Sequence, residues 1–232
     1  MAQVIVFCGG KCGGTTLANT FHKNGYMSHH FHDIKCKGLF GTTIETDNIF
    51  DFIDENSKDN NVYIIDVYRT PIERSISSFF QNIDIHLPNY KNLTIEDIIK
   101  FYNDNKLYLI EDYHPINTML KKYNILPFDN FNFETKYNII RENNKIFIKL
   151  LFKDINNWDK ILSEIFENSI TMYNANLTEN KNTYKLYKLF NEKYKIPKEY
   201  ITRFLTNNIE FKIYNTYKEQ QEYITKWLNK SF

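Results

Sequence analysis

The alternation of apolar and polar residues divides this chain into short buried runs and longer amphipathic ones. VIVF at 4–7, VYIIDVY at 62–68 and IFIKLLF at 146–152 are nearly continuous apolar runs, the pattern of strands covered on both faces. Thr15–Lys23 reads as the helix fed by the first run, and Tyr26–Ile34, rich in His and aromatic residues between Gly25 and Gly38, as a further strand. A helix is expected over Thr46–Glu55, with Ile49, Phe50, Phe52 and Ile53 as its apolar positions. After 62–68, Pro71 stands where the first turn of a helix has no N–H to lose, and Ile72, Ile76, Phe79 and Phe80 recur on one face. TIED at 94–97 has the form of a capping box, and NNWDKILSEIF at 156–166 predicts a helix after the last apolar strand. From about Thr183 the chain reads as helices, with Pro197 opening another. Strands and helices alternate early and helices dominate late. The fold class is therefore α/β, with a central, mostly parallel sheet flanked by helices and a helical C-terminal part.

Composition sharpens this picture in a few respects. With 42% hydrophobic and 16% aromatic residues, the 232-residue chain can build a substantial core, and no linker-like stretch divides it, so residues 1–232 are read as one domain. A formal net charge of +1 carries no broad basic field, which argues against a nucleic-acid partner and makes any anion site local. Cys8, Cys12 and Cys36 form no disulfide framework, and the N-terminus lacks a charged stretch followed by an apolar one; both point to a reduced, cytoplasmic setting. KIFIKLLF is too short and too charged to span a bilayer, so no transmembrane segment is expected, while peripheral membrane association stays open.

Four of the seven glycines fall within residues 9–14, and none occurs after Gly41. A strand, a glycine-rich turn and a helix N-terminus gather backbone N–H groups and the positive end of the helix dipole around one concavity, the chemistry of a phosphate site, and Lys11 adds a full charge. The triphosphatase pattern GxxxxGK[ST] fails here, because Thr15 stands where it needs Lys after Gly9 to Gly14. Asp66 is the residue that a magnesium role would call on, although a carboxylate at a strand end needs no such role.

GGKCGGTTL resembles the 5′-phosphosulfate loop of sulfotransferases that use 3′-phosphoadenosine 5′-phosphosulfate. The resemblance implies a P-loop-like three-layer fold and cofactor contacts from Gly10, Lys11, Cys12, Gly13, Gly14, Thr15 and Thr16, with no metal. RTPIERSISSFF then resembles the family's 3′-phosphate segment, with Arg69 and Ser77 eight residues apart as its Arg and Ser. An arginine ending a strand offers a planar fork to a phosphate, and a serine two turns into the next helix adds a hydroxyl donor. IFIKLLFKDINNWDKILSEIF, with NFETKYNII before it, is similar to a narrower bacterial group, the capsular polysaccharide synthesis proteins that share the sulfotransferase fold. ENKNTYKLYKLF resembles that group's Asn-Lys-x-x-Tyr signature, which makes Lys181 a site candidate, although Asn182 stands where a Trp is expected.

Sulfuryl transfer needs charge stabilisation on the leaving phosphate, for which Lys11 and the loop amides are placed, and a base for the acceptor hydroxyl. MSHHFHDI holds three of the six histidines on the second strand, where His30 and His32 share a face and His29 has the other. His32, nearer the strand's C-terminal end, is the first candidate and His30 the second, with Asp33 and Glu45 as carboxylate alternatives. A zinc site built from His30, His32 and Asp33 or Cys36 is a rival reading that lacks an obvious remaining ligand. The resemblance implies a carbohydrate or glycolipid acceptor. A kinase with an aberrant loop and a catalytically inert nucleotide- or glycan-binding protein are the other functional readings.

Overall fold

The structure is a computed structural model that describes residues 2–32, 34, 48–109, 115–173 and 182–232. Its principal elements in chain order are β1 (Gln3–Phe7), α1 (Gly14–Lys23), β2 (Met27–Phe31), α2 (Ile49–Asn56), β3 (Val62–Tyr68), α3 (Pro71–Gln81), α4 (Ile83–His86), α5 (Ile95–Asp104), α6 (Pro115–Lys122), β4 (Tyr137–Glu142), β5 (Lys145–Leu151), α7 (Trp158–Phe166), α8 (Tyr184–Lys193), α9 (Ile209–Ile213) and α10 (Tyr217–Leu228). Contacts divide the chain into two compact units, Met1–Arg69 with Tyr113–Asn176 and Thr70–Asp112 with Leu177–Phe232.

The first unit holds a five-stranded sheet in the order β2-β1-β3-β5-β4. The four strands from β2 to β5 in that order run parallel, and β4 is antiparallel at the edge. Alternate side chains on each strand enter different cores. Val4, Val6, Ile65, Val67, Ile148 and Leu150 meet Leu17 and Phe21 of α1 and Trp158 and Leu162 of α7. Ile5, Phe7, Ile64 and Phe147 meet Ile49 and Ile53 of α2 and Ile116, Met119 and Leu120 of α6. Both faces are covered, which is why the strands carry apolar runs instead of alternation. Each fully buried aliphatic side chain contributes roughly 1.5–3 kcal/mol.

The structure departs from the sequence expectations at the edges. β2 ends at Phe31, and His32 lies in the bend beyond it. YNIIRE at 137–142, read as no element from its pattern, is the edge strand β4, joined to β5 through Asn143 and Asn144, with Asn143 at a positive φ of 52°. Asn tolerates that conformation, and hairpin turns use it. Phe152–Asn157 is a 3-10 turn, so α7 starts at Trp158.

The second unit is helical. α3 begins with Pro71 in its first turn, and Ile72, Ile76, Phe79 and Phe80 are all buried, as the spacing predicts. Thr94 and Asp97 form a reciprocal capping box at the start of α5. Phe79, Phe80, Tyr102, Phe190, Tyr194 and Trp227 share one core with Ile72 and Ile201. No described helix is long and apolar enough to cross a membrane.

Candidate functional site

Parallel strands bring their C-terminal ends to one edge of the sheet, and the loops after them converge there. Phe7 pairs with Phe31 and Tyr68 with Leu151, so the glycine loop, His32, Arg69 and Phe152 all leave the same edge of the first unit. This register unites residues that lie far apart in sequence.

The loop glycines have different duties. Gly13 takes φ 85°, and a Cβ there would lie 3.0 Å from Trp158 Cη2, so both backbone angle and packing demand glycine. Gly14, the first residue of α1, is pressed by His30: a Cβ would sit 2.1 Å from His30 Nε2 and 2.8 Å from Cys8 Sγ. Gly10 meets nothing within 4 Å of such a Cβ. Lys11 is the non-glycine residue in the turn with positive φ, 68°, a conformation that costs about 1–2 kcal/mol in an L-residue. Arg69 holds it there. Its Nη1 donates to the Lys11 carbonyl at 2.7 Å, while its guanidinium lies 4.4 Å from the centre of the Phe152 ring. Trp158 is anchored in turn by donating from Nε1 to the Leu151 carbonyl at 3.2 Å.

α1 begins without a side-chain cap and without an acidic residue in its first turn. The positive end of its dipole thus faces the loop with no acidic residue of its own first turn to offset it, and Lys11 adds its charge nearby. Thr15 is half-buried and Thr16 buried in that first turn. Cys12 is buried and directs its thiol to the Gly10 carbonyl at 3.7 Å. Cys8 is also buried, and burial, assisted by Cys12 and Asp66, pushes its thiol well above the usual range. It is no nucleophile at neutral pH.

The histidines divide as the alternation predicts. His30 and His32 meet edge to face with centroids 4.6 Å apart, while His29 turns to the other face, against Phe52 and Gln3. His32 Nδ1 donates to the Cys8 carbonyl at 2.8 Å. A carbonyl only accepts, so Nδ1 carries a proton, and Nε2 is the nitrogen that can gain or lose one. His30 is buried, its Nδ1 meets no hydrogen-bond partner among the described residues, and burial followed by the charge of His32 lowers its pKa to about 4. It packs the loop as a neutral ring.

Asp66 is paired. Lys149 Nζ donates to its Oδ2 at 2.7 Å, with the two side chains 2% and 1% exposed. Among the described residues, no group of three or more His, Cys, Asp or Glu side chains is arranged to hold a metal ion. Asp33, Cys36, Glu45 and Lys181 lie outside the described residues. Ser77 is buried on α3, in the second unit, two residues from Ser75, whose hydroxyl bonds Tyr102 and the Leu107 carbonyl.

Sequence reasoning missed three contributors. Phe152 and Trp158 back the loop, and their only sequence signal is a large ring at each end of the turn that links a strand to a helix. Lys149 had a clearer one. VYIIDVY and KIFIKLL carry charges of opposite sign, Asp66 and Lys149, at the fifth of their seven positions, and the strands pair in that register. Comparison with protein-family models, with curated proteins and with solved structures gave no match.

Proposed function

We propose that this chain is a sulfotransferase with a P-loop-like fold that moves a sulfuryl group from 3′-phosphoadenosine 5′-phosphosulfate to a hydroxyl, most simply that of a carbohydrate. The observation that carries the reading is the uncapped start of α1 behind a glycine loop whose Lys11 is held in a left-handed conformation by Arg69. Such a donor set suits a dense anion: backbone N–H groups, a helix dipole and two cations, with no acid in the first turn. The donor nucleotide supplies an activated sulfur–oxygen bond. His32 Nε2 is the base that takes the acceptor's proton as its oxygen attacks sulfur. The bond to the phosphate breaks, and the electron pair leaves with the bisphosphate, whose charge Lys11 and the loop amides stabilise. Arg69 keeps the rest of its fork for the 3′-phosphate, and Ser77 is a candidate for the same phosphate from the motif spacing alone.

A magnesium-dependent kinase would call on Asp66 as a metal ligand, and that carboxylate is committed to Lys149. Calorimetry tests the nucleotide: 3′-phosphoadenosine 5′-phosphate should bind more tightly than ADP, and Arg69→Ala should weaken it at least about tenfold, the loss of one charge-assisted bond. Equal affinity for the two nucleotides overturns the reading. A labelled-sulfate assay over a glycan panel, with EDTA present, tests the chemistry and separates an enzyme from an inert binder. Lys11→Ala should lower turnover by about 10² to 10³ and His32→Ala by about 10² to 10⁴, the latter with bisphosphate affinity retained.

A further inference from the structure

The second unit carries a concavity of about 610 Å³ where α3 turns into α4. Its shape follows from packing. The Phe80 ring meets Tyr187 at 5.5 Å and Phe190 at 5.2 Å, both edge to face, and this seats the start of α8 over the end of α3. Phe80 and Ile83, both buried, supply apolar lining, and Gln81, Asp84, Tyr90 and Asn182 line the rest. Pro88, Lys91 and Thr183 complete it.

Several polar members have no commitment among the described residues. Gln81, Asp84 and Asn182 make no side-chain hydrogen bond to another described residue, and Thr183, the residue before α8, makes no side-chain cap. Two carboxamides offer both donors and acceptors, a carboxylate adds acceptors and a hydroxyl does both. That set matches a ligand whose own groups both donate and accept, which is the chemistry of vicinal hydroxyls. Apolar and aromatic lining suits the C–H face of a pyranose ring. Asp84 opposes an anionic ligand and Lys91 a cationic one, so a neutral polyhydroxylated ring fits best. The volume lies in the range of small-molecule pockets.

We propose that this concavity is a saccharide-binding site. Its use for the acceptor rests on the sulfuryl-transfer reading, whereas saccharide binding itself does not. The test is saturation-transfer NMR of the full chain with mono- and disaccharides of gluco, galacto, manno and N-acetylamino configuration at millimolar concentration. At least one should bind. Asp84→Ala and Tyr90→Ala should each weaken that saccharide about tenfold, while the affinity for 3′-phosphoadenosine 5′-phosphate measured by calorimetry on the same variants stays unchanged. Asp84 and Lys91 are exposed, so Asp84→Ala and Lys91→Ala give variants whose folding does not limit the test. Silence across the panel, or a saccharide signal that survives in the Asp84→Ala, Tyr90→Ala double variant, overturns the site. Saccharide binding that maps here in a chain that fails to bind the bisphosphate keeps the site and removes the sulfuryl-transfer reading.

Discussion

The two units solve burial with different residues and place their charges differently. The first fills the space above and below its sheet mainly with Val, Ile and Leu, and the second fills its helical core with rings such as Phe79, Tyr102, Phe190, Tyr194 and Trp227. Strands covered on both faces present regular rows that branched aliphatic side chains fill, whereas helices crossing at varied angles leave irregular volumes that large rings occupy. The first unit buries the ion pair Lys149–Asp66, while the second keeps pairs such as Lys193–Glu96 at the surface. A buried pair is a commitment: removing one partner strands the other, and a surface pair has water as a substitute.

The largest effect that this contrast predicts is for Lys149→Met, which takes the counter-charge from a buried carboxylate and should cost about 3–5 kcal/mol in urea unfolding. Adding Asp66→Asn should recover most of it, and Lys193→Ala in the second unit should leave the midpoint unmoved. Equal losses from the two lysines would erase the contrast. Next is the pH dependence carried by His30. Its folded pKa of about 4 lies below that of an unfolded histidine near 6.5, so between these values the unfolded chain holds more protons and stability falls as pH falls. The contribution is fully present above about pH 6.5 and is lost toward pH 4, about 3 kcal/mol in all. His30→Asn should flatten that slope in urea midpoints measured at pH 7 and 4.5, and an unchanged slope would count against a buried neutral ring. Smaller still is Gly14→Ala, which should lose about 1–3 kcal/mol by overpacking against His30 and weaken bisphosphate binding. Gly10→Ala, with open space at its Cβ, should match the wild type in stability.

The elements that were legible carry their signals locally. β3 is VYIIDVY to the residue, α3 opens at Pro71 and α5 at the Thr94 box, because buried runs, proline geometry and caps act over a few residues. The edge strand β4 was not legible: its hairpin turns on Asn143 and Asn144, a weaker signal than Asn-Gly, and its half-exposed pattern resembles a loop. The same division holds in the candidate site. Four glycines beside Lys11 announce a turn that must bend, and alternation places His30 and His32 on one face.

What each glycine and histidine does was settled only when strands from distant parts of the chain came into register. Gly14 is glycine because His30 lies over it, Lys11 holds its conformation because Arg69 reaches its carbonyl, and His32 carries a proton on Nδ1 because the Cys8 carbonyl accepts a hydrogen bond from it. Lys149 reads by itself as a charge in an apolar strand, and Asp66 as a carboxylate at a strand end; 83 residues separate them. By itself the sequence determined which segments could bury themselves and where the backbone had to turn, since propensity, periodicity and steric limits act between near neighbours. The tertiary structure decided partnership, tautomer and charge state, since these depend on which atoms stand within about 3 Å and on how much water packing excludes.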